Sequence, residues 1–375
     1  MKKLTFLMGV CVIMFTNIHA QTDWHITGNS GTNPASNFIG TTDNAALAFK
    51  VNNQLSGYID FSSALANTSF GFQALKNKTG NNNAAFGYKA ALLNSTGIYN
   101  TALGAYALTF NTTGYSNVAV GAGALYKSNN RSNLVAIGDS ALYNNSVGAA
   151  SSLDAISNTA VGSKALYSNG TGSDNTALGF QSLYLNTSGI HNTASGNAAL
   201  FANTTGNYNS AFGSYALVNN QTGTNNTAVG YSTLYHNNAS FVTAMGYGAM
   251  YSNTTGSFNA SAGCFSMYNN TTGFSNAAYG YSALYGNTTG YYNTAAGTLA
   301  LFSNNGGISN TAHGYRSLYA NSTGNYNTAL GVEALYNNTT GSLNTAVGVD
   351  ALYNNTTSNY NCAVGYLAMA SVNPG

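Results

Sequence analysis

The stretch NTALGVEALYNNTTGSLNTAVGVDALYNNTTS, residues 327–358, makes nearly the same statement twice. Asn-Thr-Ala, an apolar residue and Gly return after 17 residues, followed each time by Ala-Leu-Tyr and Asn-Asn-Thr-Thr. A fixed period is the signature of a repeat architecture, and it has to be traced to its ends before any other reading.

The Gly that closes the phrase recurs 18 times: Gly71, Gly87, Gly104, Gly121, Gly138, Gly162, Gly179, Gly196, Gly213, Gly230, Gly246, Gly263, Gly280, Gly297, Gly314, Gly331, Gly348 and Gly365. Of the 17 steps, 14 are 17 residues, two are 16 and one is 24, the long one carrying an insertion at Val147 to Ile156. Taking this Gly as position 0, position −4 is Asn in 16 copies, with Leu134 and Val242 as exceptions. The column includes Asn100, Asn117, Asn158, Asn175, Asn192, Asn209, Asn226, Asn259, Asn276, Asn293, Asn310, Asn327, Asn344 and Asn361. Position −2 is Ala in 16 copies, +3 is always Ala, Ser or Thr, and +4 is Leu or Met except at Ala91. Position +5 is Tyr at Tyr126, Tyr143, Tyr167, Tyr184, Tyr235, Tyr251, Tyr268, Tyr285, Tyr319, Tyr336 and Tyr353.

Seventeen residues are too few for a helix pair or a propeller blade. They hold two short extended stretches and two turns. Asn-x-Ala-x-Gly alternates with period two, as a strand does, and Asn-Thr-Thr-Gly carries turn chemistry. Such a coil buries nothing alone, but stacked coils pair their backbones rung upon rung. The expectation is an all-β parallel β-solenoid of about 18 rungs, with the Asn amides forming one hydrogen-bonded ladder through the stack and the Leu column filling the interior.

Only 5% of the 375 residues are charged and the net charge is +2, so nothing points to nucleic acid. Residues 1–20 read as a secretory signal peptide: Lys2 and Lys3, an apolar run from Leu4 to Phe15, and a small-residue end at Ala20. Residues 21–66 do not repeat and are expected to cap the first rung. The solenoid is expected over 67–370, with a short tail at 371–375. No apolar run beyond the leader is long enough to span a bilayer. Cys264 and Cys362 lie six rungs apart, about 29 Å at sheet spacing, too far for a disulfide.

The phrase Asn344 to Leu352 resembles the head repeats of YadA-type trimeric autotransporter adhesins. The fuller pattern, behind the leader Gly31 to Pro34, looks like secreted tail-fibre-type repeat proteins of Bacteroidota. The resemblance implies a left-handed parallel β-roll, a trimer and an attachment role. It extends to neither a stalk nor a self-cleaving chaperone, and the 17-residue period is longer than the adhesin unit.

Catalysis needs converging titratable groups, and no repeat column supplies them; eight carboxylates are scattered through the chain. A calcium-binding repeat would need an Asp in every copy. The reading is therefore a non-enzyme without cofactor or metal, and His313 is expected to be packed in an apolar column. Two surfaces remain for partners or glycans: the Tyr column, with rings suited to stacking on sugars or protein, and the insertion, the one long loop. Position −1 is mostly apolar and, by alternation, faces away from the Ala at −2, which predicts an apolar stripe and a homo-oligomer. The leading function is a secreted or surface-exposed structural fibre or adhesin. The alternatives are an ice-binding solenoid, although Val118, Val135, Ala260 and Ala277 interrupt its Thr rank, and a phage-tail-fibre-like receptor-binding shaft.

Overall fold

The computed structural model describes Asn33 and residues 38–62, 65–77 and 79–371. The signal-peptide reading of 1–20, most of 21–37 and the end of the tail lie outside the described residues. Within them the chain is all-β, a single parallel β-solenoid with a period of about 17 residues. A hairpin, β1 (Leu47–Val51) and β2 (Gln54–Ile59), turns at Asn52-Asn53, both with positive φ (47° and 57°). Paired left-handed residues suit a tight hairpin turn. β2 then pairs antiparallel with β3 (Thr68–Phe70), the strand of the first rung, and so occupies that rung's free edge.

From β3 to β20 (Cys362–Val364) there are 18 strands of three residues, each parallel to the next. Each rung places identical columns in register, as when Thr193, Ala194 and Ser195 face Ser210, Ala211 and Phe212. At roughly 4.8 Å per rung the stack is on the order of 85 Å long.

The second extended stretch expected in each coil is not a strand. Positions −5, +2 and +4 take positive φ throughout, for instance Tyr208 (57°), Tyr215 (60°) and Leu217 (53°). Left-handed backbone costs an L-residue roughly 1–2 kcal/mol, and here it is repeated rung after rung. Its effect is geometric. In a strand, consecutive side chains point to opposite faces, but the left-handed residue at +4 turns the chain so that +3 and +4 both face inward. Ala216 and Leu217 are both fully buried, as is Ala211 at −2. The interior is thus two small-residue columns and one Leu column, one side chain thick. Backbone pairing continues through the turn side: the Leu217 N–H donates to Thr233 O (3.0 Å) in the next rung and the Tyr215 N–H to Asn197 O (2.9 Å) in the previous one.

Two Asn ladders run through this core. In the first, the position −4 column, Asn209 Nδ2 donates to Asn192 Oδ1 (3.1 Å) and Gly223 O (2.8 Å), and Asn209 Oδ1 accepts the Asn226 N–H (3.1 Å). The second was read from sequence as turn chemistry. It is the first Asn of Asn-Thr-Thr-Gly, at −10. Asn203 Nδ2 donates to Asn186 Oδ1 (2.8 Å) and to Gly206 O of its own turn (3.1 Å), while Asn203 Oδ1 accepts from Asn220 Nδ2 (3.2 Å). Asn203 and Asn209 are both fully buried.

Each ladder therefore satisfies one rung with the next. At the breaks of the first, the Leu134 and Val242 N–H groups still donate to the Asn below (3.1 and 3.0 Å), but a break in the second leaves a buried polar atom alone. Ser128 stands where the second ladder needs Asn, and Asn111 Oδ1 beneath it is buried without a partner. Alanine at Asn209 or Asn203 is expected to cost about 1–3 kcal/mol, because the neighbours lose bonds inside a dry column. Ser128→Asn is expected to gain about 1 kcal/mol by supplying the missing donor. Urea melts with unchanged slope check both; alanine variants indistinguishable from the parent would place these amides in water.

Candidate binding site

Strand alternation decides what the rod shows to solvent. In each three-residue strand the central Ala is inside, and positions −3 and −1 face out. Phe86, Leu103, Ile137, Leu178, Phe212, Val229, Met245, Tyr279 and Leu330 at −1 are all exposed. His313 shares the column and is exposed, not packed as the sequence suggested. Its neighbours are apolar because the column is a surface stripe rather than a core.

The Tyr column at +5 is half-buried along its length, with rings stacked rung on rung. One run joins Tyr126, Tyr143, Tyr167, Tyr184 and Phe201 at centroid separations of 4.9–5.3 Å. Val218 interrupts it. A second run continues from Tyr235 through Tyr251, Tyr268, Tyr285, Phe302, Tyr319 and Tyr336 to Tyr353, at 4.9–5.5 Å. Burial, with neighbouring phenols next, pushes the Tyr143 and Tyr251 hydroxyls above their usual range. They stay protonated, so this column offers donors as well as ring faces.

Beside the Tyr column, position +2 decides whether the surface is filled or hollow. Arg316 at +2 lies over Tyr315 (4.9 Å) and Tyr319 (5.8 Å), held also by Glu333 at 3.5 Å. At Ser232 and Gly248 the same position is small, and a cleft of about 510 Å³ opens. Tyr235, Tyr251 and Tyr268 form one wall, and the stacked pair Tyr231–Tyr247 (5.5 Å) forms the other. Tyr215 and Phe265, the bulky +2 residues of the flanking rungs, close its two ends. Sequence reading found the first wall but not the second wall or the ends. The signal was Ser232 and Gly248 standing between Tyr215 and Phe265 in one column.

The insertion forms a second feature. Its Asp154 carboxylate accepts the Ala150 N–H (3.0 Å) and Ser151 N–H (2.9 Å), and Ser173 Oγ ties Leu153 O to the following rung (2.8 Å). The loop lies over a polar cleft of about 380 Å³ that Arg131 helps to line. Among the described residues no three His, Cys, Asp or Glu side chains come together as a metal site, and no helix is long and apolar enough to cross a membrane. Cys264 and Cys362 are unpaired. Comparisons with family models, curated proteins and solved structures found no match.

Proposed function

We propose that this protein is a secreted or cell-surface attachment rod, a structural fibre or adhesin that binds neutral glycans through its aromatic cleft. The observation that supports this most is the cleft itself: seven aromatic rings, six of them phenols, around a hollow of sugar size. Pyranose C–H faces stack on such rings, and phenols bond the ring hydroxyls. The apolar −1 stripe supports self-association as well. It runs the length of the stack, whereas a soluble monomer rarely exposes an apolar patch beyond roughly 300–600 Å². A homo-oligomer covers it, and the adhesin resemblance favours three copies. Ice binding is the weaker reading, because Phe212, Met245, Tyr279 and His313 stand up beside the Thr rank and roughen the face.

Gly248→Leu tests the cleft. Leu299 and Leu367 already occupy this column with the same backbone (φ 59° and 53°), so the variant is expected to fold and to fill the hollow. On a glycan array the parent is expected to retain neutral saccharides, and the variant to bind them about tenfold or more weakly. Equal binding by both, or none by either, would remove the cleft from the function. Light scattering on the same samples is expected to show an oligomer at micromolar concentration; a stable monomer would refute the role given to the stripe.

A further inference from the structure

The array departs furthest from its consensus in one place. In the rung closed by Gly138, Ser128 replaces the second-ladder Asn, Leu134 replaces the first-ladder Asn, and Arg131 replaces the turn Gly; the next rung carries the insertion. At this turn position in the regular rungs a side chain is hard to place, since a Cβ on Gly114 or Gly172 would lie 2.1 or 2.3 Å from a backbone oxygen of the next rung, and exceptions such as Ala155, Ala239 and Ser358 are small. Arg131 fits where the insertion interrupts the regular stacking above it.

We infer that Arg131 and the insertion form a second binding site, separate from the aromatic cleft, for a carboxylate-bearing saccharide. The chain has two arginines. Arg316 also has a buried Nε without a hydrogen-bond partner among the described residues, but its charge is paired with Glu333 and lies over two rings. Arg131 is only 9% exposed, makes no ion pair, and has a buried Nε without a hydrogen-bond partner among the described residues. A guanidinium this buried is costly unless something pairs with it. The carboxylate that stands nearest in the loop, Asp154, does not pair with it. It is turned onto the loop's own N–H groups, which together with the Arg131 charge hold it below the usual carboxylate range, the Ser151 N–H contributing most. Asp154 shapes the loop and leaves the guanidinium for a ligand.

The surroundings select the ligand class. Asn129, Asn130, Ser146, Ser151 and Ser152 line the cleft with neutral amides and hydroxyls, the partners that sugar hydroxyls need. A planar guanidinium fork matches a carboxylate with two parallel bonds. Phosphate or sulfate fits less well, because the two backbone N–H groups that would help cradle it are already taken by Asp154. At about 380 Å³ the cleft holds one or two sugar residues, too little for a folded partner.

The test is calorimetric titration of the full chain with a tetrasaccharide of alternating glucuronate and N-acetylglucosamine. Its carboxyl-reduced form and sodium sulfate serve as controls. The acidic sugar is expected to bind, with the reduced form about tenfold or more weaker. Arg131→Gly, which restores the usual residue of this column, is expected to lose binding to the same degree, Arg131→Lys to lose part of it, and Gly248→Leu to lose none. Thermal melts confirm that the variants fold. Should Arg131→Gly fail to fold, Ser151→Ala with Ser152→Ala carries the test, and weakened binding is again expected. The assignment falls if the reduced sugar or sulfate binds as tightly, if binding survives Arg131→Gly or the double-serine variant, or if no acidic saccharide binds at about 10 mM.

Discussion

Gly213→Ala is expected to abolish the soluble rod. Gly213 has φ +128°, a conformation closed to side chains, and an added Cβ would stand 2.5 Å from Gly230 O and 2.7 Å from Gly230 C. Neither atom can move aside. Gly230 is stacked on Gly246 in the same manner, with a Cβ-to-oxygen distance of 2.7 Å, so a shift in one rung is passed to the next. Backbone strain and overpacking together are expected to cost more than about 4 kcal/mol. Gly248→Ala is the matched control. Its φ is +61° and its nearest new neighbour is a side-chain atom, Phe265 Cδ1 at 3.2 Å, while Ser232 holds the same conformation one rung away. It is expected to cost less than about 1 kcal/mol. Soluble yield, circular dichroism and urea melts of the two variants decide the matter; a Gly213→Ala protein that melts with the parent would show that the anchor column tolerates a methyl group.

The same stacking explains how much of the structure was legible in the sequence. The strand at Asn-Thr-Ala-x-Gly could be read directly, because inter-rung pairing demands identical residues at a fixed interval and alternation assigns their faces. The turn side could not. Tyr215 and Leu217 are poor candidates for left-handed backbone by local preference, and only pairing to the rungs on both sides makes that conformation recur. The second Asn ladder was hidden for a related reason. Asn before Thr-Thr-Gly has a sufficient local explanation as a turn residue, yet Asn186, Asn203 and Asn220 bond mainly to one another across rungs. The aromatic cleft lies one level further out. It depends on how Tyr215, Ser232, Gly248 and Phe265 differ within a column whose consensus says little, and the empty space arises from neighbours 16 or 17 residues apart.

Expression through a pathway that attaches N-linked glycans is expected to prevent folding. Asn203-Thr-Thr, Asn253-Thr-Thr, Asn270-Thr-Thr, Asn287-Thr-Thr and Asn338-Thr-Thr all match the acceptor tripeptide, which is ordinarily taken as a sign of a surface loop. Here the sign misleads, because each of these Asn side chains is fully buried in the second ladder. Its Nδ2, the atom that would carry the sugar, already makes two bonds: in Asn270, to Asn253 Oδ1 (2.7 Å) and Gly273 O (3.0 Å). Attachment during synthesis would precede burial, replace a donated hydrogen and force a bulky polar group into a column one side chain wide. A few such events along the stack would exceed the net stability of about 5–15 kcal/mol typical of a domain. The remedy separates this cause from ordinary misexpression. The third residue of each tripeptide is exposed at Thr205, Thr255 and Thr340, so changing the Thr or Ser at that position to Ala along the array removes the acceptor signal and leaves the ladder intact. The altered chain is expected to be secreted as a folded β-rich rod from a glycosylating host, and the parent to be retained or secreted without β structure. A parent protein that carries glycans on these Asn residues and still shows the spectrum and melt of the unglycosylated form would mean that the second ladder does not hold the coil together.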